Sequence, residues 1–121
     1  MRTIRFRIYN EILKRMLTDD EAKVGFAFMD GGLYSAANCT IMESTGLEDR
    51  SGKEIFEGDI LQEKGDTDKW VVKWGTFWTY EDQTIGWFLK RREGKFMGLN
   101  QSHVEDREVI GDIYSNPELL Q

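Results

Sequence analysis

Little in this chain advertises chemistry. Its 121 residues include one cysteine, one proline and one histidine. Cys39 has no second thiol to pair with, so an internal disulfide is excluded and a reducing compartment is the expected setting. One Cys and one His cannot supply the Cys/His ligand set of a structural zinc site. Asp66 and Asp68 offer oxygen ligands, but their loop lacks the glycine and carboxylate register of a calcium loop. No metal and no cofactor are expected. No apolar run approaches the roughly 20 residues of a spanning helix. The basic start alternates apolar and charged residues instead of forming the apolar block of a secretion signal. The expectation is a cytoplasmic protein with no membrane contact. Gly31-Gly32 precedes neither a Lys nor a helical pattern, which excludes a phosphate-binding loop there.

What is present is a foldable, aromatic-rich chain. Apolar residues make up 40%, with four Trp, four Tyr and seven Phe, enough to bury a core in a single domain. The net charge of −6 is uneven. Arg2, Arg5, Arg7, Lys14 and Arg15 against Glu11 give the first 16 residues +4, leaving −10 for the rest. An acidic body repels nucleic acid at long range, while a basic arm can dock on the acidic face of another copy.

The pattern along the chain is mainly that of short strands. Ile4, Phe6 and Ile8 alternate with Arg5 and Arg7, which predicts a half-buried strand with both arginines outward. Ile12, Leu13, Met16 and Leu17 recur at helical spacing behind Asn10, so one short helix is expected there. Val24–Phe28 reads as a strand, Asp30-Gly31-Gly32 as a turn, and a further strand is expected near Cys39–Met42. Asp49-Arg50-Ser51-Gly52 has the Asp-first, Gly-last form of a type I turn. Gly58, inside the run from Ile55 to Leu61, marks a sharp bend that curls a short sheet. Trp70–Tyr80 reads as two strands broken near Gly75, and Gly86–Lys90 with Lys95–Met97 as a hairpin around Arg91-Arg92-Glu93-Gly94. Glu108–Tyr114 is the last strand, ended by Pro117. The fold class is therefore mainly β: an extension over 1–54 and a small SH3-like curled barrel over 55–121, together one domain. The expected core is Ile4, Phe6, Ile8, Phe26, Ile55, Ile60, Val71, Trp74, Phe88, Val109, Ile110 and Ile113.

Three blocks resemble the YopX family of phage and prophage proteins: Met1-Arg2-Thr3-Ile4-Arg5-Phe6-Arg7; Ser44-Thr45-Gly46-Leu47 through Glu57-Gly58-Asp59-Ile60; and Val109-Ile110-Gly111-Asp112-Ile113-Tyr114 with Asn116-Pro117-Glu118-Leu119. Tyr9-Asn10 departs from a Trp-Asp pair usual in that family. The resemblance implies the fold, a phage origin and a bacterial host cell. It supplies no catalytic residues.

Catalytic readings are outweighed by structural ones. Cys39 and His103 would have to meet in the fold, and nothing beside Cys39 activates a thiolate. Glu57 and Asp59 share one side of a strand, but acids at a barrel rim ordinarily stay wet. Enzyme activity is not expected. Single-stranded nucleic acid is the alternative partner, because Trp74, Phe77, Trp78 and Tyr80 with Lys73 and the Lys90–Lys95 tip suggest an aromatic platform flanked by cations. The favoured expectation is association with a protein partner or a second copy in a homo-oligomer. The contact residues expected are Arg5, Arg7, Trp78, Arg91 and Arg92.

Overall fold

The computed structural model describes residues 5–18, 39–78, 83–91 and 94–120. The expected strand at Val24–Phe28, the Asp30-Gly31-Gly32 turn, the core positions Ile4 and Phe26, and Arg92 lie outside the described residues. The chain is mostly β, with 59% of the described residues in antiparallel strands and one helix of a single turn. It divides into two compact units, Met1–Glu43 and Ser44–Gln121.

In the first unit, β1 (Phe6–Asn10) forms a hairpin with β2 (Arg15–Met16) and pairs on its other side with the start of β3 (Cys39–Glu48). The helix expected over Ile12–Leu17 is absent, and residues 11–14 are the hairpin loop. Asn10 decides this locally. Its side-chain oxygen accepts from the Ile12 and Leu13 amides, both at 2.9 Å, while its carbonyl accepts from Lys14 N at 2.8 Å. Such side-chain bonds offer the backbone an alternative to the helix. Lys14 closes the turn with φ 57°. The strict alternation expected of β1 also fails. Ile8 and its neighbour Tyr9 are both buried, whereas Phe6 is 51% exposed and is not a core residue.

The second unit holds the end of β3, β4 (Glu54–Phe56), β5 (Asp59–Glu63), β6 (Lys69–Trp78), β7 (Gln83–Arg91), β8 (Phe96–Gly98), the helical turn α1 (Gln101–Val104) and β9 (Arg107–Asp112). A 3₁₀ turn at Pro117–Leu120 follows. Five strands run in the order β8-β7-β6-β5-β9 and curl into a half-barrel, consistent with the small barrel expected. Gly58 makes the corner between β4 and β5 at φ 86°, a conformation that costs an L side chain roughly 1–2 kcal/mol. Its N–H donates to the Val72 carbonyl and its carbonyl accepts from Ile113 N, each at 2.9 Å. One residue thus carries the pairing of β5 on to the strands at both of its sides, β6 and the end of β9.

The core under this sheet is Ile55, Leu61, Trp70, Val72, Leu89 and Val104, with Val109 packed against it. Each such side chain contributes about 1.5–3 kcal/mol of burial. Ile60, Val71 and Phe88 are buried as expected, while Ile110 and Ile113 are half-buried. Trp74 is not a core residue: it is 55% exposed. The break expected at Gly75 is also absent. The strand β6 runs unbroken, with Gly75 directly opposite Gly86 of β7. Two facing glycines remove side chains from both strands at once, so the ladder passes through them. The turn α1 had no periodic signal. It exists because Asn100 caps it, accepting from His103 N at 3.0 Å, and because Val104 plugs the core.

Candidate functional site

The most distinctive stretch of the sequence, Ser44 to Ile60, is spent on architecture. Thr45 Oγ1 donates to the Ile55 carbonyl at 2.8 Å and accepts from Leu47 N. Asp59 Oδ2 accepts from Phe56 N at 2.8 Å, bracing the Gly58 corner. Asp59 is fully buried, so the reading of a solvated rim acid does not hold for it. Asp49 is the hub. Its Oδ1 accepts from Ser51 N, Ser51 Oγ and Lys53 N at 2.8–2.9 Å, and its Oδ2 from Val109 N at 2.8 Å. The turn residue therefore bolts residues 49–53 to β9. Burial pushes the Asp49 carboxyl up, but these hydrogen bonds to its charged form outweigh burial and hold it below the ordinary carboxylate range. At the far end, Asp112 Oδ1 likewise accepts from Tyr114 and Ser115 N.

Chemistry is no better served elsewhere. Cys39 Sγ accepts from Asn10 Nδ2 in the first unit, and the His103 ring contacts the Gly98 carbonyl in the second. Among the described residues no group of His, Cys, Asp or Glu could hold a metal ion.

The surface that stands out is the arm formed by β6 and β7. Nine residue pairs run from Trp70↔Arg91 to Trp78↔Gln83. Alternation places Trp70, Val72, Trp74, Thr76 and Trp78 on one face, together with Arg91, Leu89, Trp87, Ile85 and Gln83. Near the barrel this face is the core. Beyond Val72 and Leu89 it emerges into solvent, where Trp74 is 55%, Trp78 64% and Ile85 73% exposed. Trp74 and Trp87 meet edge to face, ring centroids 5.1 Å apart. No Lys or Arg stands on this distal stretch. The opposite face carries Phe77 and Phe88, buried against each other, and a groove of about 340 Å³ lined by Val71, Lys73, Lys90, Ile113 and Leu120, with Arg91 at its inner rim.

The expected contact residues fall in different places. Arg5 is exposed at the start of the described chain. Arg7 is half-buried, its guanidinium 3.6 Å from Met42 Sδ. Trp78 lies at the outer end of the arm. Arg91 lies at its inner end, about 26 Å away at the usual strand rise. There Arg91 pairs with Asp68 at 2.6 Å and stacks over Trp70 at 5.4 Å. The sequence pattern places Trp74 in the core or, in the nucleic-acid reading, on an aromatic platform, and it does not mark Ile85 as a surface residue. The one available signal is the lack of charge from Trp74 to Trp78, which reads in sequence as a core strand.

Comparison with known proteins supports the reading of the fold. The sequence model of a family described as YopX protein matches residues 5–121. The fold is similar to the crystal structure of protein EF1440 from Enterococcus faecalis, with a TM-score of 0.58 and 21% identity over the whole of both chains. No curated protein matches the chain.

Proposed function

The chain belongs to the YopX family, and from that premise we propose that it is a phage or prophage accessory protein. It acts in the cytoplasm of the bacterial host by association with protein, not by catalysis. The contact surface is the distal face of the β6–β7 arm. One observation carries this reading: Trp74, Trp78 and Ile85 stand together on one sheet face, more than half exposed and with no charge among them. Exposed Trp is characteristic of interface anchors, because it offers a large rigid area with little rotamer entropy to lose.

The nucleic-acid alternative needs aromatic platforms and backbone-tracking cations on the same surface. Here the exposed Trp side chains occupy one face of the arm, while Lys73 and Lys90 lie on the other. That separation favours a protein partner. The test is capture from host lysate on immobilised chain, comparing wild type with Trp78→Lys. The expected result is a set of proteins retained by wild type and lost by the variant at unchanged circular dichroism. Equal retention by both would refute this surface. Binding of fluorescent oligonucleotides at about 50 mM salt, where the electrostatic term is large, would restore the alternative.

A further inference from the structure

Among the described residues the arm has an uncovered edge as well as an apolar face. β5 pairs with β6 only from Lys69 to Val71, and the Gly58 amide closes the Val72 carbonyl. From Lys73 to Trp78 no strand among the described residues lies along the outer side of β6. Because Val72 C=O points away from β7, alternate residues Trp74, Thr76 and Trp78 point their N–H and C=O groups the same way. On the other side, the Trp87 carbonyl accepts from Leu99 N, which agrees with Trp74↔Trp87 as a pair without mutual hydrogen bonds. A two-stranded ribbon is marginal in water, and exposed edges are normally blunted by charge, Pro or a bulge. Trp74-Gly75-Thr76-Phe77-Trp78 has none of these.

This segment is also its own complement. Read in either direction it presents Trp, a spacer, Thr, a spacer, Trp. We infer that a second copy of the chain pairs antiparallel along this edge, about a two-fold axis through Thr76. Trp74 then faces Trp78 of the other copy, Thr76 faces its twin, and each such pair exchanges both N–H···O bonds. Gly75 falls opposite Phe77 of the other copy, leaving that ring room. Charge favours the same place: each copy carries −6, and an uncharged strip is where two acidic chains meet with least repulsion. The two-fold sets both aromatic faces on one side of a four-stranded sheet, which doubles the proposed protein-binding surface. The inference rests on that assignment for its use and on the edge for its geometry. The pairing covers one short strand edge and leaves the Trp faces open, a contact at the small end of specific interfaces, so a weak dimer of about micromolar affinity is expected.

The test is sedimentation velocity of the full chain from about 5 to 500 μM, bracketing that affinity. Thr76→Pro removes an outward N–H and no β6–β7 bond. Thr76→Lys sets two like charges face to face on the axis. Thr76→Cys in a Cys39→Ser background places two thiols across it, with Cα atoms about 5.5 Å apart and within disulfide range. The expected results are a concentration-dependent wild-type dimer, monomers for Thr76→Lys and Thr76→Pro, and a covalent dimer on mild oxidation of Thr76→Cys. If Thr76→Pro loses its fold, the Lys and Cys variants decide. A wild type that stays monomeric throughout overturns the dimer, while host capture by the Trp78 face still stands or falls on its own assay. A dimer that survives Thr76→Lys and does not cross-link at Thr76 forms elsewhere and overturns the edge assignment.

Discussion

Replacing Asp49 with Asn keeps the shape of the side chain and removes its charge, and the contacts of the carboxylate set the cost. It accepts four hydrogen bonds, three on Oδ1 and one, from Val109 N, on Oδ2. An Asn keeping its oxygen toward Ser51 and Lys53 turns an NH₂ group on the Val109 N–H. The opposite flip forfeits three bonds to save one. The first arrangement is the less costly. It loses a charge-assisted bond worth about 1.5–3 kcal/mol and weakens the other three, so a total of about 2–4 kcal/mol is expected. Against a domain stability of about 5–15 kcal/mol this is a large fraction. The pH dependence gives a second handle. The folded carboxyl lies below its unfolded value, so its stabilisation is present above the unfolded pKa and is lost as pH falls through the folded one. Urea unfolding followed by tryptophan fluorescence should show the full gap between wild type and Asp49→Asn at pH 7. The gap should narrow on acidification below about pH 4, where ordinary carboxyls begin to take up protons. A variant as stable as wild type at pH 7, or a gap of constant size down to acid, would refute the role given to Asp49.

Three other substitutions probe the same geometry. Gly58→Ala forces an L side chain to φ 86° at the corner, and thermal melting should report a loss of about 1–2 kcal/mol. Gly111→Ala would place its Cβ 2.6 Å from Asn116 Oδ1 and 2.9 Å from Leu119 Cδ1. Asn116 accepts from Asp112 N through that oxygen, so the 3₁₀ turn should detach and become cleavable by protease while the sheet persists. Arg91→Ala removes the Asp68 pair and the stacking over Trp70. Because the ion pair is partly exposed, chemical denaturation should show a loss of only about 1 kcal/mol.

Local chemistry is legible in the chain. The Asp49–Gly52 turn, the bend at Gly58 and the hairpin between Arg91 and Lys95 depend on one or two residues whose backbone preferences act at short range. Hence the mainly β class and the curled sheet can be read before any coordinates. The stretch after Asn10 misleads because helical spacing and a side-chain-capped loop compete there, and the capping bonds from Ile12 and Leu13 win. The surface is harder still. Val72 and Trp74 share a face and differ by one repeat of the pleat, yet one is fully buried and the other open. Period two tells which side a residue faces. It cannot tell how far along that side the covering layer of Leu61 and Val104 extends, because that layer comes from distant segments. Asp49 is readable as a turn former but not as the anchor of Val109, sixty residues later. Turns and alternation are settled by neighbours along the chain, and so they are legible in it. Where the core stops, leaving the arm's aromatic face in water, depends on segments that meet only in the folded molecule.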